Sequence, residues 1–207
     1  MTATERARIA SVSSSVIVVV VLLALPWDAR AQASVVNEEW RHGTTLAGFV
    51  GAGSPFAGVD PALGLSLGWE MRPWLGLEGR GTWFPAPDGV NAFAASFGAR
   101  MAFESARPIL PFASAGVGFY RATFDMPGSN AMPRFYRRRA GEAGLLGRTF
   151  DDLLLTVGAG AEVFLSRHVA LRPELTVMMV AARSDARVVP VFGVHMAYHF
   201  ESHPITP

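Results

Sequence analysis

A chain of 207 residues and 22.2 kDa is enough for one domain. Half of its residues are hydrophobic and 17% are charged, below the roughly one quarter usual in soluble chains, and the absence of cysteine excludes disulfide scaffolds, thiol catalysis and cysteine metal sites. The formal net charge of +1, with every cation an arginine, gives no general case for nucleic acid as a partner.

The chain opens with an address. Arg6 and Arg8 precede the apolar run Val16–Leu25, Pro26 breaks it, and Ala31-Gln32-Ala33 has the small-x-small form of a cleavage site. Residues 1–33 therefore read as a secretory signal peptide. The apolar run is ten residues long, too short for a spanning helix, which needs about 20. Removing 1–33 leaves 15 arginines against 15 acids (18 less 3, and 17 less 2). No later run is long enough for a helical span, so a membrane-embedded mature chain has only a closed β-barrel open to it.

After a short segment, 34–43, the chain counts in twos. Thr44–Gly53 is a Gly/Ala-rich strand candidate whose faces the sequence does not assign. In 62–71, Leu63, Leu65, Leu67, Trp69 and Met71 alternate with Ala62, Gly64, Ser66, Gly68 and Glu70. In 74–84, Leu75, Leu77 and Trp83 oppose Glu78, Arg80 and Thr82; in 92–104, Phe93, Phe97, Met101 and Phe103 oppose Ser96, Gly98, Arg100 and Glu104. Leu110–Phe124 again leaves its faces open. In 152–165, Leu153, Leu155, Val157 and Val163 oppose Asp152, Thr156, Gly158, Gly160 and Glu162. In 169–180, Val169, Leu171, Leu175, Val177 and Met179 oppose Arg172, Glu174 and Thr176; in 188–200, Phe192, Val194, Met196, Tyr198 and Phe200 oppose Gly193, His195, Ala197 and His199. Strict alternation of this kind marks strands with two unlike faces.

A soluble sandwich or lipocalin-like barrel also alternates, with its apolar face inward. Three features favour the apolar face looking out at lipid. The strands run to about 10–13 residues, long enough to cross a bilayer when tilted. The other face is mostly Gly, Ala and Ser with one or two charges per strand, which suits a narrow lumen. Aromatics gather toward strand ends, as in interfacial girdles: Trp69, Trp74, Trp83, Phe84, Phe93, Phe103, Phe150, Phe164, Tyr198 and Phe200. The connections agree. Arg72-Pro73, Ser105–Pro108 and Ser166-Arg167 are tight, whereas 54–61, 85–91, 125–149 and 181–187 are longer, giving short periplasmic turns and long outer loops. The expectation is an all-β, eight-stranded antiparallel up-and-down transmembrane barrel over 44–200, with a tail at 201–207.

Three segments carry a family resemblance: Arg107–Tyr120 (RPILPFASAGVGFY), Val157–Leu175 (VGAGAEVFLSRHVALRPEL) and the closing Phe192–Phe200 (FGVHMAYHF). The chain resembles the small eight-stranded outer-membrane β-barrel proteins, the group of the OmpA membrane domain and the opacity-type surface proteins. The resemblance implies the fold, an outer-membrane location and contact with outer-membrane lipid, lipopolysaccharide and the assembly machinery. Phe200 resembles the terminal aromatic by which that machinery recognises a last strand, although Glu201–Pro207 follow it. Members of the group do different things, so no single activity follows.

The chemistry is sparse. Glu70, Glu78, Glu104, Glu162 and Glu174 share the inward parity with Arg72, Arg80, Arg100 and Arg172. Acid/base work is one reading; structural ion pairs filling a narrow lumen are the better one, because buried charges must pair whatever the function. His195 and His199 share a face but lie about 13 Å apart along an extended strand, too far to hold one metal ion. No metal, cofactor or nucleic-acid motif stands out. A lipid A hydrolase would need Ser and His on the outer wall with a carboxylate behind. The clean strands place none there, and Glu201-Ser202-His203 are only neighbours in sequence. A narrow conduit for small or apolar molecules is a further alternative. The expectation is a monomeric, non-enzymatic surface protein. Its most specific candidate is the 125–149 loop, where Arg134, Arg137, Arg138, Arg139 and Arg148 outnumber Asp125 and Glu142 and enclose Phe135 and Tyr136. Such a cluster suits lipopolysaccharide phosphates or another anionic partner, with the rings at headgroup level; a solvated connection is the plainer alternative.

Overall fold

The computed structural model describes residues 43–56, 58–86, 90–103, 109–124, 132–142, 149–182 and 185–201. The signal-peptide reading, Glu104, Arg148 and Asp125 lie outside these residues, as do Ser202 and His203. Eight strands form one closed antiparallel barrel in sequence order. They are β1 Gly43–Gly53, β2 Asp60–Arg72, β3 Leu75–Pro85, β4 Val90–Ala102, β5 Ile109–Phe124, β6 Thr149–Phe164, β7 Val169–Ala182 and β8 Asp185–His199. The barrel closes where β1 meets β8, in a register that sets Thr45 opposite His199 and Gly51 opposite Gly193. Past the last strand, Phe200 N–H donates to the Thr44 carbonyl and Thr44 N–H donates to the Glu201 carboxylate, which ties the chain end to the seam. Closure leaves no free strand edge, the condition for a sheet to stand in lipid.

The apolar parity faces out. Leu65 is 65% exposed while its neighbour Ser66 is 4% exposed, and Leu63, Leu67, Phe97, Val157 and Met196 are exposed with Leu65. The two strands with unassigned faces follow the same rule. In β1, Leu46 and Val50 look out while Thr45, Ala47 and Phe49 look in; in β5, Val117 and Phe119 look out while Phe112, Tyr120 and Ala122 look in.

Seven of the girdle aromatics point outward: Trp69, Trp74, Phe103, Tyr198 and Phe200 at the end with the tight turns, Trp83 and Phe93 at the end with the long loops. Ten residues separate Phe93 from Phe103. At about 3.4 Å per residue and a tilt of about 40°, that is about 26 Å along the barrel axis, close to the apolar band of about 25 Å of an outer-membrane barrel. Phe84, Phe150 and Phe164 do not belong to the girdle. They fall on the inward parity, and Phe84 is fully buried.

The turn end is built economically. Between β6 and β7, Ser166 Oγ accepts from the N–H groups of His168 and Val169, a serine turn, and Leu165 N–H donates to the Val169 carbonyl. The loop end differs from the sequence expectation. Within 125–149 the chain forms a helix, α1, Arg134–Glu142. Pro133 suits its start: its carbonyl accepts from the N–H groups of Tyr136 and Arg137.

Candidate functional site

The inward parity brings charged residues from five strands to the turn-end half of the lumen. They join into one chain of alternating sign. Glu174 receives Arg80 through both guanidinium ends, at 2.9 and 2.8 Å. Arg80 donates to Glu78 at 2.6 Å, and Arg172 donates to the other oxygen of Glu78 at 2.8 Å. Arg172 also donates to Glu162 at 3.0 Å; Arg100 donates to Glu162 and to Glu70, both at 2.8 Å. Four carboxylates and three guanidiniums thus run from Glu174 to Glu70 across the barrel.

Two histidines of β8 attach to this chain. His199 Nε2 stands 3.1 Å from Glu162 and its Nδ1 3.1 Å from Thr45 Oγ1. His195 Nε2 lies 3.2 Å from Glu174, off the line of a good hydrogen bond, and its ring packs on Phe49 with centroids 4.7 Å apart. The Phe112 ring lies beneath both Arg100 and Arg172, each guanidinium 5.6 Å from its centroid. Charges this deep persist only because each has a partner in reach.

Two of the candidate ion-pair residues are not in this chain. Glu104 is outside the described residues. Arg72 is exposed, with its guanidinium 5.8 Å from the centre of the Trp74 ring. The reason is a register shift between Glu70 and Arg72 in the β2–β3 pair, which breaks the alternation before Arg72 is reached. The two histidines fall within the charged tier, and no metal-holding group of His, Asp or Glu occurs among the described residues.

The loop-end half of the lumen is apolar, which the composition of the inward face did not suggest. Phe84, Tyr120, Phe124, Leu154, Val180 and Val189 are fully buried there. Helix α1 lies over them. Its Tyr136 ring packs against Phe124 and Phe150 at 5.2 and 5.0 Å, and Phe135 meets it edge-on at 4.8 Å. The rings therefore turn into the mouth and not to headgroup level. Burial pushes the Tyr136 hydroxyl up to about 12. Between the charged and apolar tiers the cavity is about 30 Å³, bordered by Arg80, Ser96, Ser114, Thr156 and Thr176. That holds on the order of one or two waters.

The arginine cluster divides. Arg139 faces the barrel: it donates to Asp152 at 2.7 Å and stacks on Phe135 and Phe150 at 5.4 and 5.2 Å. Arg137 donates to the Met132 carbonyl at 3.0 Å. Arg134 and Arg138 are exposed, one turn apart, and border a groove of about 520 Å³ with Arg187 at the head of β8. Arg148 is outside the described residues. Sequence reasoning missed Arg187, which stands at inward parity and donates to the carbonyls of Ser54 and Phe56. It also missed a bidentate pair on the outer wall, Arg121 to Asp151 at 2.7 and 3.1 Å, directly opposite each other on β5 and β6.

No protein-family model matches the chain, and no curated protein matches it in sequence. Solved structures do match. The N-terminal β-barrel domain of OprF from Pseudomonas aeruginosa aligns with a TM-score of 0.58 at 13% identity, over 77% of this chain and all of that domain. Neisserial surface protein A aligns with a TM-score of 0.55 at 13% identity, over 76% of this chain and 96% of its own. At these identities the likeness speaks for the fold alone. The chain has the fold of the small eight-stranded outer-membrane β-barrels.

Proposed function

We propose that this protein is an outer-membrane surface protein with a closed lumen, which meets lipopolysaccharide or another anionic partner through its loop end. In this reading residues 1–33 carry the chain across the inner membrane. The assembly machinery inserts the barrel, recognising the exposed pair Tyr198 and Phe200. The tight turns stay in the periplasm and α1 faces outward. The observation that carries the proposal is the lumen itself. A chain of ion pairs fills one half and packed rings under α1 fill the other, which leaves the described residues no room for a wide aqueous path. Arg134 and Arg138 of α1 are exposed, on the side from which an outside partner would arrive.

An enzymatic role is disfavoured by what the wall offers. Among the described residues no serine faces lipid beside a histidine; Ser96 and Ser114 border the lumen cavity, and Ser166 is engaged by backbone N–H groups of its own turn. The test is cell fractionation followed by trypsin treatment of intact cells. The proposal requires recovery with the outer membrane and cleavage at the α1 arginines from outside. Recovery from the soluble periplasm, or cleavage only after the outer membrane is broken, would overturn it.

A further inference from the structure

We infer that the chain at Ser54–Phe56, between β1 and β2, and helix α1 form one cap over the loop-end mouth, keyed by Arg187 of β8, and that this cap opens as a unit. The inference rests on the reading that the lumen is closed; it adds that the closure at this end is a single movable part.

The two halves come from distant stretches of chain and meet on one ring. Phe56 is 8% exposed and meets Phe124 edge-on, with centroids 5.7 Å apart. Tyr136 of α1 lies against the same ring at 5.2 Å. Phe124 is itself 1% exposed, so both neighbours shield it from water. Gly53 lets the chain turn closely over the mouth: a Cβ there would come 2.9 Å from the Phe84 ring and 3.2 Å from the Pro190 carbonyl oxygen. Ser54 N–H donates to that carbonyl at 3.2 Å, and Ser54 Oγ donates to the Gly58 carbonyl at 2.8 Å.

Arg187 joins the halves. It donates to the carbonyls of Ser54 and Phe56. The Asp60 carboxylate, where β2 begins, and the Tyr136 hydroxyl of α1 are both within its electrostatic reach. One guanidinium therefore holds the loop by its backbone and lies near the hydroxyl that α1 sends into the mouth. Lifting either half alone wets Phe124 and leaves a void beside the other half's ring, so the two halves share the cost of opening. That makes the cap a cooperative unit of local opening. Beneath it lie Leu154, Val180 and Val189, all fully buried, to which a lifted cap admits solvent.

The experiment uses the absence of cysteine from the chain. Val189→Cys places one thiol under the cap, and Ala122→Cys, buried in the same tier, serves as a second reporter. The purified barrel in phosphatidylcholine vesicles is treated with iodoacetamide, a neutral reagent whose approach does not change when a charge is removed. The urea-unfolded chain gives the rate of full exposure. Phe56→Ala and Arg187→Gln are then introduced separately, with Arg134→Ala as the control on the exposed face of α1. Heat-modifiable gel mobility confirms that each variant is folded. The inference requires labelling roughly a hundredfold or more slower than in the unfolded chain. It requires Phe56→Ala and Arg187→Gln each to speed labelling roughly tenfold or more, and Arg134→Ala to leave it unchanged. It also requires Phe56→Ala, a change outside α1, to speed trypsin cleavage after Arg134 and Arg137 within it. Faster labelling with unchanged cleavage of α1 means two separate lids and overturns the inference. Unchanged labelling in both variants removes Phe56 and Arg187 from the closure and overturns it too. Labelling of the unaltered cap at the unfolded rate overturns this inference together with the closed-lumen reading beneath it.

Discussion

Arg172 donates to Glu162 at 3.0 Å across the β6–β7 hairpin, and both side chains are almost wholly out of solvent. Glu162 is the hub of the lumen: Arg100, Arg172 and His199 all converge on it. Removing the hub leaves two guanidiniums buried without their shared partner. Glu162→Ala should therefore destabilise the barrel by about 3–5 kcal/mol. Glu162→Gln, which keeps an acceptor oxygen, should cost less. Urea unfolding in lipid vesicles measures both; a loss under about 1 kcal/mol for the alanine variant would mean that water already reaches the pair.

The outward band makes a depth-dependent expectation. Leu65→Arg, near mid-strand, should cost about 2–4 kcal/mol, whereas Tyr198→Arg, beside the turn end, should cost about 0–1 kcal/mol. Equal costs in vesicle unfolding would contradict the placement of the bilayer.

Close packing inside the wall gives a third. A Cβ on Gly193 would run into the Phe49 ring and come 2.7 Å from the Val50 carbonyl oxygen. Gly193→Ala should cost about 1–3 kcal/mol by overpacking. Phe49→Leu should recover part of that in the double variant, because the ring is the movable obstacle and the carbonyl is not. Strictly additive costs would contradict the contact.

Much of this was legible in sequence. Leu63, Leu65 and Leu67 against Gly64 and Ser66 left little doubt about β2. The faces of β1 and β5 were not legible, because both parities hold large apolar residues: Val50 beside Phe49, Phe119 beside Tyr120. Arg72 misled because parity cannot register a bulge. Phe84, Phe150 and Phe164 stand at strand ends as girdle aromatics do, but their parity sets them inside. The apolar upper tier had a signal too, in Thr176–Ala182 (TVMMVAA), which is apolar at both parities above Thr176. Helix α1 was hidden by its arginines. Its cue was Pro133 followed by Phe135, Tyr136 and Arg139, spaced to share one helical face.

That face sets a division of labour among the arginines. Arg139→Ala should loosen α1, because it removes the bond to Asp152 and two ring contacts; Arg134→Ala should not. Limited trypsin digestion of the barrel reads this as faster cleavage after Arg134, Arg137 and Arg138 in the Arg139 variant. Unchanged rates would mean that the rings alone hold the helix.

The Tyr136 hydroxyl adds a pH dependence. In the unfolded chain it ionises near pH 10, and in the docked helix near about 12, so the docked form holds the proton more tightly. Docking is unaffected below about pH 10 and weakens as pH rises from there toward 12. Tyr136→Phe should remove the loss that comes from the Tyr136 hydroxyl, which is buried next to that of Tyr120. Tyrosinate absorbance together with trypsin sensitivity across that range checks it.

The central claim is that the barrel is closed by its own side chains. Planar-bilayer recording tests it most directly. The wild type should show no large, stable conductance, and a variant that clears both tiers, with Arg100→Ala, Glu162→Ala and Tyr136→Ala, should conduct if it folds. Large, stable conductance in the wild type would contradict the account.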